Sequence, residues 1–409
     1  MLRKILIGIG GLVGLVVLGV AGLYGVVSHK VSKTYETPLP NIQRATTPEA
    51  LARGEMIYRS MCAECHAKPG ETHATGAQMM DLPAELGFFH SANITSDPVA
   101  GIGNLKDEEI ARMIIHAINR DGKIRPMAQY RWMSDEDVAA VIGYLRSDSP
   151  DFAPSPDKAP PSQLTFPGKI IQSFILGINP EPRGALKAPP KAVTAEYGKY
   201  LAMGVYECLF CHTESFANND VKEKSPNAFA GGFEYDMSTL GGQGFIYSAN
   251  ITQDETNGIG KWNLEQFKLA LREGVTPDRH ILRRPMPRYR YLDDVEIEAI
   301  FTFLKTVKPA PMPKLAHEPI PRPKADSAVA GGPEHLFNTL GCTYCHGPKG
   351  QFRDRLKNAV GKQPEEVAKW IRNPESFKPG TQMPTFASLI DENQAVELAK
   401  WVQAKGGTP

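Results

Sequence analysis

Three short segments hold the chemistry this sequence can do: Cys62-Ala-Glu-Cys65-His66, Cys208-Leu-Phe-Cys211-His212 and Cys342-Thr-Tyr-Cys345-His346. They use all six cysteines of the 409-residue chain. A CxxCH segment puts two thiols on one helical turn, where they can add to the two vinyl groups of a haem, and its histidine presents an imidazole to the iron. A single CxxC would read equally well as a dithiol redox pair or half a zinc site. Neither of those has a reason to repeat the following histidine three times. The spacing therefore points to three covalently bound haem c groups, with His66, His212 and His346 as the proximal ligands.

An iron held by histidine on one face needs a ligand on the other, and methionine is the one that raises the potential in cytochromes c. Met127 lies in Arg125-Pro126-Met127, Met286 in Arg284-Pro285-Met286-Pro287 and Met383 in Gln382-Met383-Pro384. Each stands 7, 7 or 8 residues ahead of a helix start that reads as a capping box: Ser134 with Asp137, Asp293 with Glu296, Asp391 with Gln394. A methionine kept only for packing has no reason to hold that distance. The sixth ligands are therefore expected to be Met127, Met286 and Met383. The first has rivals nearby in Met79, Met80, Met133, His73, His90 and His116. An internal repeat aligns His90 with Tyr247, His116 with Glu273 and Met133 with Leu292, so none of these three is a shared ligand. Met79, Met80 and His73 fall where the repeats differ in length and stay open.

The elements that position these residues follow from the same repeat. Residues 87–95, ending in Ser91-Ala92-Asn93-Ile94-Thr95, match 244–252, ending in Ser248-Ala249-Asn250-Ile251-Thr252. Gly101-Ile102-Gly103 and Gly258-Ile259-Gly260 follow at equal distance. Helical periodicity comes next in both copies, and alternating strand patterns are scarce. Proline-rich joints separate the units, and such joints favour extended, semi-rigid spacers. The third unit is shorter, with 37 residues between His346 and Met383 against 61 and 74 in the others.

Composition sets the outer limits. Hydrophobic residues make up 42% and charged residues 22%, which fits packed soluble domains and excludes wholesale disorder or a polytopic membrane protein. A net charge of +1 gives no footprint for nucleic acid. Ile5 to Val27 is an uncharged apolar run of 23 residues, enough as a helix to cross a ~30 Å hydrocarbon core. It exceeds the apolar stretch of a cleaved signal peptide and is read as an uncleaved anchor. Gly10 and Gly14 stand at GxxxG spacing, which suits a second helix. A short apolar stretch, Ile170 to Leu176, suits a partner or the membrane surface. Arg279, Arg283, Arg284, Arg288 and Arg290 surround Met286, where they would pair with haem propionates, face solvent or attract an acidic redox partner. No Rossmann glycine fingerprint or P-loop is present, and no catalytic residue is expected.

The order CxxCH, Ser-Ala-Asn-Ile-Thr, Gly-Ile-Gly, then Pro-Met before an acid-capped helix resembles the triheme cytochrome c subunit of membrane-bound alcohol and gluconate dehydrogenases. The resemblance covers about residues 50–310 and is closest in the second unit, through Phe229-Ala230-Gly231-Gly232 and Gly258-Ile259-Gly260-Lys261-Trp262. The third unit is similar to class I cytochromes c in general. The first lacks the Phe-Ala-Gly-Gly stretch, and an N-terminal spanning helix departs from the family pattern.

The resemblance implies haem domains in the periplasm of a bacterial inner membrane. They would receive electrons from a separate dehydrogenase or respiratory-complex subunit and pass them to quinone or a terminal oxidase. The expected fold is mainly α, with three cytochrome c-type helical domains in tandem behind one N-terminal transmembrane helix. The expected boundaries are 1–30 for the anchor, 45–149, 191–308 and 330–409 for the domains, and 150–190 and 309–329 for the linkers. The expected function is electron relay without bond chemistry. Alternatives are a free-standing tethered carrier, or a haem enzyme of the peroxidase or thiosulfate dehydrogenase type, which would need an exchangeable sixth position.

Overall fold

The two threonines that open the first two domains set their helices. Thr47 accepts from the backbone N–H of Ala50 at 3.3 Å and Thr194 from that of Tyr197 at 3.2 Å, each satisfying a donor that the first helical turn leaves unpaired. The computed structural model describes residues 2–407 except 69–70, 80–83, 175–178, 216, 218, 237–244, 280, 283–284, 312–330, 349, 351, 379–380 and 382. Met80, Arg283, Arg284, Gln382 and most of the second proline-rich joint lie outside the described residues.

In chain order the helices are α1 Leu2–Ser32, α2 Pro48–Ile57, α3 Ala63–His66, α4 Asp107–His116, α5 Asp135–Leu145, α6 Phe166–Phe174, α7 Ala195–Tyr200 and α8 Cys208–Cys211. They continue with α9 Asn219–Lys222, α10 Leu264–Glu273, α11 Asp294–Leu304, α12 Gly332–Thr339, α13 Cys342–His346, α14 Pro364–Arg372 and α15 Glu392–Ala404. The described strands are short: β1 Gly87–Phe88 pairs antiparallel with β2 Gln163–Leu164, and β3 Glu234–Asp236 with β4 Phe245–Tyr247. The molecule is mostly helical, as expected.

In both of the first two domains the opening helix widens into a π-helical turn next to its cysteines: Tyr58–Cys62, which ends on the first cysteine, in one and Leu201–Val205, ahead of Cys208, in the other. Such a turn inserts a residue without ending the helix and re-aims the residues beyond it. The closing helices α5 and α11 cross α2 and α7 at glycines. A Cβ on Gly54 would lie 2.0 Å from the Ala140 carbonyl oxygen, and one on Gly198 would lie 1.8 Å from that of Ala299. Only a residue without a side chain permits so close a crossing.

The first two domains share one continuous core. Ile57, Met133, Val138 and Ile142 pack in the same cluster as Leu201, Met203, Leu209, Ile297 and Ile300. The third domain has its own, built on Leu336, Phe337, Val367, Phe386 and Leu398, into which the second domain inserts Val275 and Ile281. The 150–190 segment is laid along the first domain rather than hung between domains. Asn93 Nδ2 donates to the carbonyls of Ser155 and Asp157, Thr37 Oγ1 to that of Pro180, and Arg183 to that of Met133.

The capping expectation needs correction in two of three places. Asp391 and Gln394 form the full reciprocal box. Ser134 and Asp293 do cap their helices, accepting from the N–H groups of Asp137 and Glu296 at 3.1 and 3.0 Å. The carboxylates of Asp137 and Glu296, however, do not turn back to the caps, because the contact between domains has taken them.

Candidate haem sites

The three motif histidines are each oriented by a backbone carbonyl. Nδ1 of His66 lies 2.8 Å from the Ala92 oxygen, that of His212 2.6 Å from Ala249 and that of His346 3.0 Å from Phe352. A ring that donates through Nδ1 keeps its proton there and leaves Nε2 as a bare lone pair, the form that binds a metal. Burial, opposed by that hydrogen bond, holds all three below the ordinary imidazole range, so they are neutral.

The repeated Ser-Ala-Asn-Ile-Thr segment thereby acquires a role. Its alanine supplies the orienting carbonyl, and its asparagine ties the loop: Asn93 Oδ1 accepts from Thr95 N and Oγ1 at 2.8 and 2.7 Å, and Asn250 repeats this with Thr252 at the same distances. Gly101 and Gly258 lie against this loop, where a Cβ would come 2.2 and 2.5 Å from the carbonyl oxygens of Thr95 and Thr252.

The Phe-Ala-Gly-Gly stretch missing from the first domain has a counterpart there in backbone form. Gly231 N–H donates to His212 O at 2.8 Å and Gly76 N–H to His66 O at 2.9 Å, both with positive φ. Ala74-Thr75-Gly76-Ala77 thus performs the same turn with different side chains.

The cysteines test what these sites can hold. No disulfide joins any of the six, and all are half-buried. Burial is the main force pushing the thiols of Cys62, Cys208 and Cys342 up to about 12. A zinc site needs a clustered ligand set. Among the described residues no group of three or more His, Cys, Asp and Glu is placed to hold a metal ion. An apolar wall of uncharged sulfur beside an oriented neutral imidazole fits a haem joined by thioethers.

The methionines lie at the cores. Met127, Met286, Cys62 and Cys208 all pack against the shared core of the first two domains, and Met383 and Cys342 against that of the third. Three of the rivals in the first domain have places or partners of their own. Met133 is 2% exposed within the core, His73 Nε2 lies 2.7 Å from the Ala153 oxygen, and His116 Nδ1 lies 2.9 Å from an Arg131 nitrogen. Met79 is half-buried, its N–H bonded to Phe89 O.

Groups of both of the first two motifs act on one pair of buried tyrosines. Tyr130 and Tyr289, each three residues past its methionine, are buried, and burial holds both phenols well above their ordinary range. The further groups acting on Tyr130 are Cys62 and Cys65 of its own motif and Glu207 and Cys211 of the other; Tyr289 feels Cys208, Cys211, Tyr130 and Glu64. Both tyrosines therefore lie within electrostatic reach of both motifs.

A polar network spans the same contact. Arg53 grips Asp137 with two bonds, at 2.8 and 2.9 Å, and also pairs with Glu296 of the second domain. Tyr200 of the second domain donates to Asp137 at 2.6 Å, while Tyr197 and Tyr206 donate to Glu296 at 3.1 and 2.8 Å.

This helical frame with its repeated motif matches known proteins. A family model described as cytochrome C oxidase, cbb3-type, subunit III matches residues 49–145 and 328–402. The chain carries cytochrome c domains. Curated relatives extend the match. The alcohol dehydrogenase (quinone) cytochrome c subunit of Gluconacetobacter polyoxogenes is 27% identical, over 89% of this chain and 82% of that protein. The gluconate 2-dehydrogenase cytochrome c subunit of Pantoea cypripedii is 22% identical, over 87% and 85%. The fructose dehydrogenase cytochrome subunit of Gluconobacter japonicus is 28% identical, over 63% of this chain and 52% of that protein. These relatives are thus cytochrome subunits of dehydrogenases. The cbb3-type match skips the second domain, which the internal repeat ties to the first.

Sequence reasoning missed the carbonyls of Ala92, Ala249 and Phe352, and the diversion of Asp137 and Glu296. The repeat signalled the first two, since a motif kept in two copies beside an axial histidine marks its support. Nothing in the sequence signalled the other three.

Proposed function

We propose that this chain is a single-pass membrane-anchored cytochrome with three haem c groups, relaying electrons as the electron-transfer subunit of a membrane dehydrogenase. Cys62 and Cys65, Cys208 and Cys211, and Cys342 and Cys345 would hold the haems, with His66, His212 and His346 and then Met127, Met286 and Met383 as the ligands to iron. A bound haem would supply one-electron redox chemistry. The protein's part is to fix the imidazoles, exclude water and hold the sites close together. The observation that carries the reading is the threefold Nδ1-to-carbonyl anchor on histidines that directly follow paired cysteines.

The helix α1, long and apolar enough over Ile9–Ser32 to cross a membrane, supports a membrane anchor. Its glycine notch meets nothing within 4 Å of Gly10 or Gly14 in this chain. The domains would lie on the periplasmic side, where such haems are attached in the resembling family, and quinone or a terminal oxidase would accept the electrons.

Extraction of native membranes with mild detergent tests this. A second polypeptide should co-purify, and alcohol, a sugar or a sugar acid should reduce the haems. A chain that purifies alone, with haems that stay oxidised under all three, would contradict the dehydrogenase role.

A further inference from the structure

The amphipathic helix α6 sits where the spanning helix ends. Phe166 stacks on Tyr24 with ring centroids 5.6 Å apart, and Lys30 reaches to 4.1 Å over the Phe174 ring and 3.3 Å from the Ser173 carbonyl oxygen. Tyr24 is three residues short of the end of the apolar run, about 5 Å along a helix, so whatever touches it lies at the rim of the hydrocarbon layer.

On its other side α6 is fixed to the first domain. Gly168 lies so near Leu86 that a Cβ would stand 2.0 Å from its carbonyl oxygen, and β2, just before the helix, pairs with β1. The stalk after α1 is tied down as well, through Tyr35 N–H to Gly122 O at 2.9 Å and Lys123 to Thr34 Oγ1 at 2.7 Å. Phe174 at the end of α6 is 49% exposed, and Phe88 on β1, the strand paired with β2, is 56% exposed. Aromatic side chains flanked by lysines are the composition of an interfacial helix.

We propose that α6 lies in the headgroup layer of an anionic phospholipid bilayer, with Phe88 and Phe174 entering its surface. The first domain is then seated on the membrane instead of swinging on a stalk. This rests on reading α1 as a membrane span, and the test separates the two.

The full chain, carrying p-benzoylphenylalanine singly in place of Leu15, Phe88, Phe174 or Val360, is reconstituted into vesicles of phosphatidylethanolamine and phosphatidylglycerol and irradiated. Val360 is 49% exposed on the third domain and serves as the distant reference. Lipid adducts are expected at 15, 88 and 174, at least fivefold above those at 360. Adducts at 15 with only background at 88 and 174 would overturn the seated helix while leaving the span intact. A polypeptide adduct at 174 in place of lipid would overturn it in favour of a protein partner. Background at 15 as well would overturn the span, and the seat with it.

Discussion

Arg290 of the second domain donates to Glu375 of the third at 2.8 Å, and the same guanidinium reaches the carbonyl oxygen of Met383 and the Thr385 hydroxyl, both at 3.3 Å. Arg290 is four residues from Met286, so one side chain links the segments carrying two proposed iron ligands. Tyr291 adds a bond to Glu375 at 3.1 Å, and Arg279 one to the Leu389 carbonyl at 3.3 Å. The arginines around Met286 include two that dock a neighbouring domain of the same chain. Haem propionates, solvent and a separate partner were the roles the sequence suggested.

Breaking that link should loosen the third domain. Glu375→Gln keeps the shape and removes the charge, and a charge-assisted hydrogen bond of this kind contributes roughly 1.5–3 kcal/mol. The expected result is earlier unfolding of the third domain and slower electron exchange with the second haem, followed by stopped-flow absorbance. The exchange Arg290→Glu with Glu375→Arg should restore part of both.

Arg53 should be costly to remove. Glu296 is fully buried and Asp137 6% exposed, so Arg53→Met strands two carboxylates in the contact between domains, at about 3–5 kcal/mol. Denaturant unfolding should show that loss. Adding Glu296→Gln should recover a measurable share, because one of the stranded charges is then gone.

The helix crossings leave no room for a side chain. Gly54→Val or Gly198→Val is expected to destabilise its domain by at least ~1–3 kcal/mol through overpacking, with incomplete haem incorporation on expression. Gly184, where an added methyl group would meet nothing within 4 Å, should accept alanine with little change in thermal midpoint.

His116 should make the first domain acid-sensitive. Burial first, then the nearby Arg131, Arg183 and Arg112, hold it down at about 4, against the Asn179 carbonyl that raises it. The folded value lies below the ordinary 6.5, so stability from keeping the ring neutral is complete above pH 6.5 and is lost as pH falls toward about 4. His116→Gln should flatten the thermal midpoint across that window.

Much of this protein was legible because its chemistry is local. Cys62 to His66 points to a cofactor within five residues, and the repeat sets Met127 and Met286 at equivalent positions. What was hidden depends on partners far apart in sequence. Asp137 and Glu296 read as capping residues because they sit three residues past a cap, and only the packed domains reveal Arg53 as their partner, 243 positions away from Glu296. Arg290 is likewise ambiguous until the third domain arrives beside it. The stretch from Ile170 was visibly apolar, but the contact of Phe166, just before it, with Tyr24 depends on where the chain folds back.

The most direct measurement is haem content and spin state per chain. Intact-mass analysis should find three covalent haems on each polypeptide, all low-spin, and Met127→Ala, Met286→Ala and Met383→Ala should each turn one of the three high-spin. Fewer than three haems, or a spectrum unchanged by any one of these substitutions, would contradict the assignment.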